Sequence, residues 1–371
     1  MKPESRPYQK RIITKSVAAF HDICEKSVNH TAAVNVESPV GSGKTLMGLT
    51  ICKDLIDNHA ALFGKKKEDI QIGWCAMRRT LLSQAADENL KFTSLENIHF
   101  VSMFDKTPPK VDILVFDESH HSAAESAVTL YTSCNPKVLL GLSATPYRTD
   151  NMKLCFNKSI TDAGHRQLIE EGYLAAFDQY MLDSWTPESV TTCYLEDPKK
   201  WGKSICYFLT MEECYQACEI INQAGLRADV VTGQTDRESQ LEAFEEGKLD
   251  ILFNVFVLTE GLNCPSLKTV FCRPSVKGPT IQMCGRVFRK FGDKIAQIVQ
   301  SKDTHWPFVR SATPREQWVV ENGQWMSLKS NKAVNERAVI MREKICATDA
   351  PMPEYFKKRK KRRSQLMRND D

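Results

Sequence analysis

The segment "SPVGSGKTLMG", residues 38–48, follows directly on the apolar run "AAVNV" and opens a helical pattern. A strand, a glycine-rich turn and a helix in that order restrict a chain to few architectures. Backbone N–H groups and the helix dipole converge at such a turn and make an anion site. Gly41 and Gly43 permit close approach on either side of Ser42, Lys44 can reach terminal phosphates, and Thr45 can offer its hydroxyl to Mg²⁺. The phosphate-loop pattern G-x-x-x-x-G-K-[ST] is met except at its first place, where Ser38 stands.

A second segment decides what the turn is for. "DILVFDESHHSA" is an apolar strand ending in adjacent carboxylates, Asp117 and Glu118. Alone, such a pair is more often a helix N-cap. Beside a G-S-G-K-T turn it delivers acids to the sheet edge where the phosphates lie. Asp117 can orient Mg²⁺ and Glu118 can polarise an attacking water. The expectation is a nucleoside triphosphatase that uses ATP and Mg²⁺.

Apolar runs alternate with helical stretches along most of the chain, which predicts parallel sheets flanked by helices. Five strands are expected in the first half ("AAVNV", "IQIGWCAM", "IHFVSMF", "DILVFDE", "VLLGLSAT"). Five more are expected in the second ("SICYFLT", "ADVVTG", "DILFNVFVL", "TVFCRP", "IAQIVQ"). The crossover falls near "IEEGYLAAFDQYML", residues 169–182, and the polar stretch after it reads as the approach to a new domain. The expected division is 1–175, 176–310 and a C-terminal extension, 311–371. In that extension "QWVVENGQW" reads as a hairpin turning at Asn322-Gly323, and "NKAVNERAVIMREKI" as a helix. Trp318 and Trp325 either offer stacking surfaces to bases or pin the hairpin to its domain; pinning is the favoured role.

With these motifs in hand, the chain resembles the superfamily-two helicases of the DEAD/DEAH-like kind. The resemblance spans about residues 5–300 and keeps the family's motif order. It implies an α/β fold of two tandem RecA-like domains, each a mostly parallel sheet flanked by helices, with a short C-terminal extension. "RPYQ" resembles the segment that reads adenine, through Gln9. "AMRRTLLSQ" resembles the segment that touches the nucleic-acid backbone, which makes Arg78 and Arg79 candidates. "DESH" matches the acidic box, with His120 linking it to "SATP", where Ser143 and Thr145 couple hydrolysis to strand movement. "VLTEGLNCPS" supplies Thr259 as a further backbone contact, and Asn263 stands where many relatives carry aspartate. Within "QMCGRVFRK", Gln282, Arg286 and Arg289 are spaced to share a helical face. In the family that face meets the γ-phosphate across the cleft, and such arginines are typically worth ~10³–10⁵ in rate.

The resemblance implies an ATP-dependent helicase or translocase, with DNA favoured over RNA and a monomer expected. A double-strand translocase without strand separation, an RNA helicase, or a nucleic-acid binder with a dead ATP site remain open. Composition is that of an ordinary soluble protein, 42% hydrophobic and 26% charged, with no apolar run near the roughly 20 residues a bilayer needs. The opening "MKPESRPYQK" carries no apolar core of a secretion signal. Thirteen scattered cysteines without a C-x-x-C pair predict free thiols in a reducing compartment. A cytoplasmic location follows, or a nuclear one in a nucleated cell, because residues 357–371 carry eight Lys or Arg against two Asp. That tail is either a solvated end or an electrostatic anchor for phosphates.

Overall fold

The computed structural model describes residues 5–26, 30–119, 125–145, 156–259, 262, 264–321 and 323–328. The first lobe runs α1 (Pro7–Lys26), β1 (Ala32–Glu37), α2 (Lys44–His59), β2 (Ile72–Ala76), α3 (Arg79–Glu88), β3 (Ile98–Ser102), β4 (Ile113–Asp117), α4 (Glu125–Cys134), β5 (Val138–Ser143) and β6 (Lys158–Thr161). After α5 (His165–Glu170) come β7 (Phe177–Leu182), α6 (Pro187–Glu196), α7 (Pro198–Trp201), β8 (Ser204–Tyr207), α8 (Met211–Gln223), β9 (Ala228–Val230), α9 (Arg237–Glu245), β10 (Ile251–Asn254) and β11 (Thr269–Cys272). The second lobe closes with α10 (Lys277–Gly285), β12 (Ala296–Ser301), β13 (Gln317–Glu321) and β14 (Gln324–Ser327).

The first sheet has the order β3-β2-β4-β5-β1-β6 and every pairing in it is parallel. The second has the order β14-β13-β7-β12-β11-β8-β10-β9, with the β13–β14 hairpin its antiparallel pair. In both, the pleat sends successive residues to opposite, covered faces. Ile113 and Val115 of β4 join the core under α1 and α2, while Leu114 and Phe116 join the core under α4. In β8, Ile205 and Tyr207 face that same first core, while Cys206, and Phe208 just after the strand, face a separate one beneath α8. One apolar core therefore continues from a face of the first sheet to a face of the second. It holds the two lobes against each other.

The sheets are wider than five strands each. β6 adds an edge beside β1, and β7 lies within the expected crossover segment, paired with β12. The polar stretch after β7 is helical, not an open linker. Thr186 caps α6 by accepting from Ser189 N–H with Pro187 next in line, and Asp197 with Pro198 does the same for α7. The hairpin expected in a C-terminal extension is a part of the second sheet, through β13 on β7. Its tryptophans pack on that sheet: Trp318 stacks on Tyr180 at 6.2 Å and Trp325 meets the same ring edge-on at 5.2 Å. The helix expected at 331–345, the basic tail and Asn322 lie outside the described residues. Among the described residues no helix is long and apolar enough to cross a membrane, and the cysteines are free thiols.

Candidate active site

The turn between β1 and α2 is held in a conformation that its glycines allow. Gly41 and Gly43 both stand at φ 83°, in the left-handed region. At Gly43 a side chain would also strike Gln9 Nε2, 2.7 Å from the Cβ position. Two buried donors of α1 grip the loop from behind. Tyr8 Oη and Gln9 Nε2 both donate to the carbonyl oxygen of Ser42, at 2.6 and 2.9 Å. Gln9 Oε1 accepts the Arg6 N–H at 2.8 Å, so both ends of the amide expected to read adenine are engaged within the protein, one on the loop and one at the start of α1. Ser38, in the place of the leading glycine, donates its N–H to the carbonyl of Ser143 and ties the loop to the end of β5.

Lys44 and Thr45 open α2 and face Asp117 and Glu118 at the end of β4 across one cavity. Its volume is about 520 Å³. Burial opposes the Lys44 charge, while Glu118 and Asp117 favour it. Burial likewise holds the Asp117 carboxyl well above the usual carboxylate range, reinforced by the negative charge of Glu118. Glu118 itself sits at φ 57°. A non-glycine residue there carries about 1–3 kcal/mol of strain, which at a site edge reflects positioning rather than stability. Behind the acids, buried Ser119 donates to Asn35 Oδ1 of β1 at 2.6 Å and fixes the strand end.

The second lobe supplies the opposite wall. Arg286 and Arg289 line the same cavity as Lys44 and Asp117. The approach is close enough that a Cβ on Gly285 would stand 2.7 Å from Val40 Cβ in the phosphate loop. The two arginines do not share a helical face. α10 ends at Gly285, Arg286 begins a 3₁₀ turn, and Arg289 is extended at ψ 131°. Leaving the helix lets Arg289 turn inward and donate from Nη1 to the carbonyl of Leu262 at 2.9 Å. Burial and the charge of Arg286 bring its pKa down to about 10. Gln282 is buried in α10 and is absent from the described cavity wall.

The remaining expected residues divide. Ser143 Oγ donates to the Thr145 carbonyl at 2.6 Å and accepts the Thr145 N–H at 3.1 Å, a buried turn at the end of β5. Arg78 caps α3 half-buried and Arg79 starts the helix exposed, both at the outlet of β2. Thr259 is a correction: it is 1% exposed, with its hydroxyl bonded to the Phe256 carbonyl, and so offers no surface to a nucleic acid. Its place in a tight 3₁₀ turn over the core accounts for this. His120, Glu260, Gly261 and Asn263 lie outside the described residues. Tyr8, Asn35, Glu88 and the Arg6–Tyr173 pair were not singled out in the sequence. Arg6 lies over the Tyr173 ring at 5.3 Å, and both line the cavity.

The cavity wall suits an anionic ligand and a hard cation. Among the described residues, the buried Ser42 Oγ and Arg286 Nε have no hydrogen-bond partner. Of the two, Arg286 is on the cavity wall, where a phosphate oxygen would be received. Thr45 and Asp117 offer oxygen atoms only, the donor type Mg²⁺ takes.

Comparison with known proteins agrees with this geometry. The Type III restriction enzyme, res subunit family matches residues 2–106 and 93–148, and the Helicase conserved C-terminal domain family matches 187–291. A helicase-named protein of Sulfolobus islandicus filamentous virus is 23% identical over 328 residues, covering 68% of this chain and 57% of that protein. The helicase-named IRC3 of Saccharomyces cerevisiae is 21% identical over 354 residues, covering 77% of this chain and 50% of its own. The chain thus spans about half the length of these relatives. Among solved structures, the Type ISP restriction-modification enzyme LlaBIII bound to DNA superposes with TM-score 0.59 at 14% identity, over 87% of this chain and 28% of that one. S. cerevisiae Dbp5 bound to RNA and ADP BeF₃ superposes with TM-score 0.56 at 16% identity, over 90% and 96%. With two mostly parallel sheets lining one cleft and both family matches in their order along the chain, the protein has the fold of two tandem RecA-like domains and is similar in sequence to superfamily-two helicases.

Proposed function

We propose that the protein is a nucleic-acid-stimulated ATPase that moves along its strand, with DNA as the favoured partner. One observation carries this: Lys44, Asp117 and Glu118 of the first lobe line the same cavity as Arg286 and Arg289 of the second. A nucleotide in that cavity touches both lobes, so its cleavage changes what holds them together. Lys44 and the loop N–H groups are placed to receive the phosphates, and Thr45 with Asp117 would hold Mg²⁺. The metal, when bound, neutralises charge on the phosphate oxygens. Glu118 orients the attacking water and accepts its proton. Arg286 and Arg289 stabilise the charge that spreads over the transferred phosphoryl group. Arg6 over Tyr173 gives the cavity an aromatic floor suited to a base.

Arg78 and Arg79, at the outlet of β2, are the candidate strand contacts. Preference for DNA draws support from the match to the Type III restriction enzyme, res subunit family and the likeness to a DNA-bound restriction-modification enzyme. The likeness to an RNA-bound protein is of comparable size, so the partner is settled by assay. ATP turnover is to be measured alone and with single-stranded DNA, branched duplex DNA and RNA, with Lys44→Ala as control. Stimulation by DNA that Lys44→Ala abolishes is the expected result. Turnover indifferent to every strand removes the motor function.

A further inference from the structure

The cavity is lined by two carboxylates that the proposed chemistry does not use, Asp87 and Glu88, and Asp87 is the more exposed of them. Leu81, Gln84, Glu88 and Lys91 recur at three- and four-residue intervals, and together they turn one face of α3 and its continuation into the cavity. Glu88, the last residue of α3, stands there with Lys44, Arg286 and Arg289. The backbone that follows it is held. The helix passes at once into a π-turn, Asn89–Thr93, a form that often marks functional sites. Asn89 Oδ1 accepts from Thr93 Oγ1 at 2.7 Å and from Leu95 N–H at 2.9 Å, while its Nδ2 donates to the Leu95 carbonyl at 2.9 Å. These bonds close the helix end and fix the backbone from which the Glu88 side chain reaches the cavity wall.

The electrostatics are reciprocal. After the repulsion from Arg286, the negative charge acting most strongly on Arg289 is that of Glu88. The positive charge acting most strongly on Glu88 is that of Arg289. Glu88 therefore stands to Arg289 as the terminal phosphate of a nucleotide would. We infer that Glu88 is a placeholder for that phosphate: it balances Arg289 in the nucleotide-free cleft, and the terminal phosphate takes its place on binding. Glu88 is thus a positioning residue that acts through Arg289 and discriminates nucleotides by their last phosphate. This rests on the assignment of the cleft to ATP.

The test is binding of a non-hydrolysable ATP analogue and of ADP to the full chain, in wild-type protein and in Glu88→Gln, Glu88→Asp and Arg289→Ala backgrounds. Glu88→Gln removes the carboxylate charge that favours Arg289 most, so the analogue is expected to bind at least about fivefold tighter, with ADP little changed. Glu88→Asp keeps the charge and should stay near wild type. The gain should vanish when Glu88→Gln is combined with Arg289→Ala, a result that a structural role for Glu88 does not produce. The inference is overturned if Glu88→Gln leaves the ATP-to-ADP preference unchanged, or if its effect is the same without Arg289. Should Glu88→Gln not fold, Glu88→Ala with and without Arg289→Ala carries the same comparison, because loss of the charge must tighten analogue binding only when Arg289 is present. Wild-type protein that binds neither nucleotide overturns the cleft assignment, and this inference with it.

Discussion

Val40 of the phosphate loop packs on the backbone of Gly285 at the end of α10, so tightly that a Cβ on the glycine would stand 2.7 Å from Val40 Cβ. The lobes meet here at the two segments that carry Lys44 and Arg286, and the contact sets how nearly the arginines approach the phosphates. Gly285→Ala should hold the lobes apart at a cost of about 1–3 kcal/mol to the closed arrangement. Turnover is expected to fall about tenfold or more with analogue binding reduced less, and Val40→Gly, which removes the opposing Cβ, should restore part of the loss. Steady-state kinetics of the three variants checks this.

The Ser119–Asn35 bond supports the acidic pair from beneath. Ser119→Ala leaves Asn35 Oδ1 buried without that donor, a loss of about 1–3 kcal/mol. Urea unfolding should show the destabilisation, and turnover should fall because Glu118, one residue earlier, loses its anchor.

The hairpin is tied to the second lobe by a cation. Lys200 Nζ lies 4.4 Å from the Tyr180 and Trp201 ring centres and 5.2 Å from that of Trp325. Lys200→Met keeps most of the stem and removes the charge, which should cost about 1 kcal/mol. Tryptophan fluorescence during denaturation should show the hairpin releasing at lower urea.

His165 makes stability depend on pH. It is buried between Phe288 and Phe308, with ring centres 5.8 and 5.5 Å away, and burial brings its pKa down to about 4 with a smaller contribution from Lys44. The unfolded chain takes up a proton near the usual value of about 6.5, where the folded imidazole stays neutral. Unfolding therefore binds a proton, and stability should decline as pH falls from about 6.5 toward 4. His165→Phe should flatten that part of the curve, as measured by thermal melts across the range.

Much of the cleft was legible because its chemistry dictates residue types at fixed spacing. A phosphate loop needs glycines at left-handed φ, and Gly41 and Gly43 adopt it. The carboxylates need a strand end, and β4 stops at Asp117. The arginines were legible as a pair but not in their geometry, since nothing in Q-x-x-G-R-x-x-R shows that the helix ends at Gly285. The helices α6 and α7 were legible and passed over, because Thr186-Pro187 and Asp197-Pro198 are cap signals hidden in a polar stretch. Glu88 and Asn35 carry no local signal at all. Each acquires its place only when a distant segment, Arg289 or Ser119, is folded against it. Thr259 shows the converse, a motif position whose side chain the fold buries.

The central claim is that the second lobe completes a site whose phosphates the first lobe holds. Its most direct test is the turnover number of Arg289→Ala beside its affinity for a non-hydrolysable ATP analogue, both measured with saturating single-stranded DNA. Turnover is expected to drop by about 10³-fold or more, with affinity changed far less. Turnover equal to that of the wild type would contradict the claim.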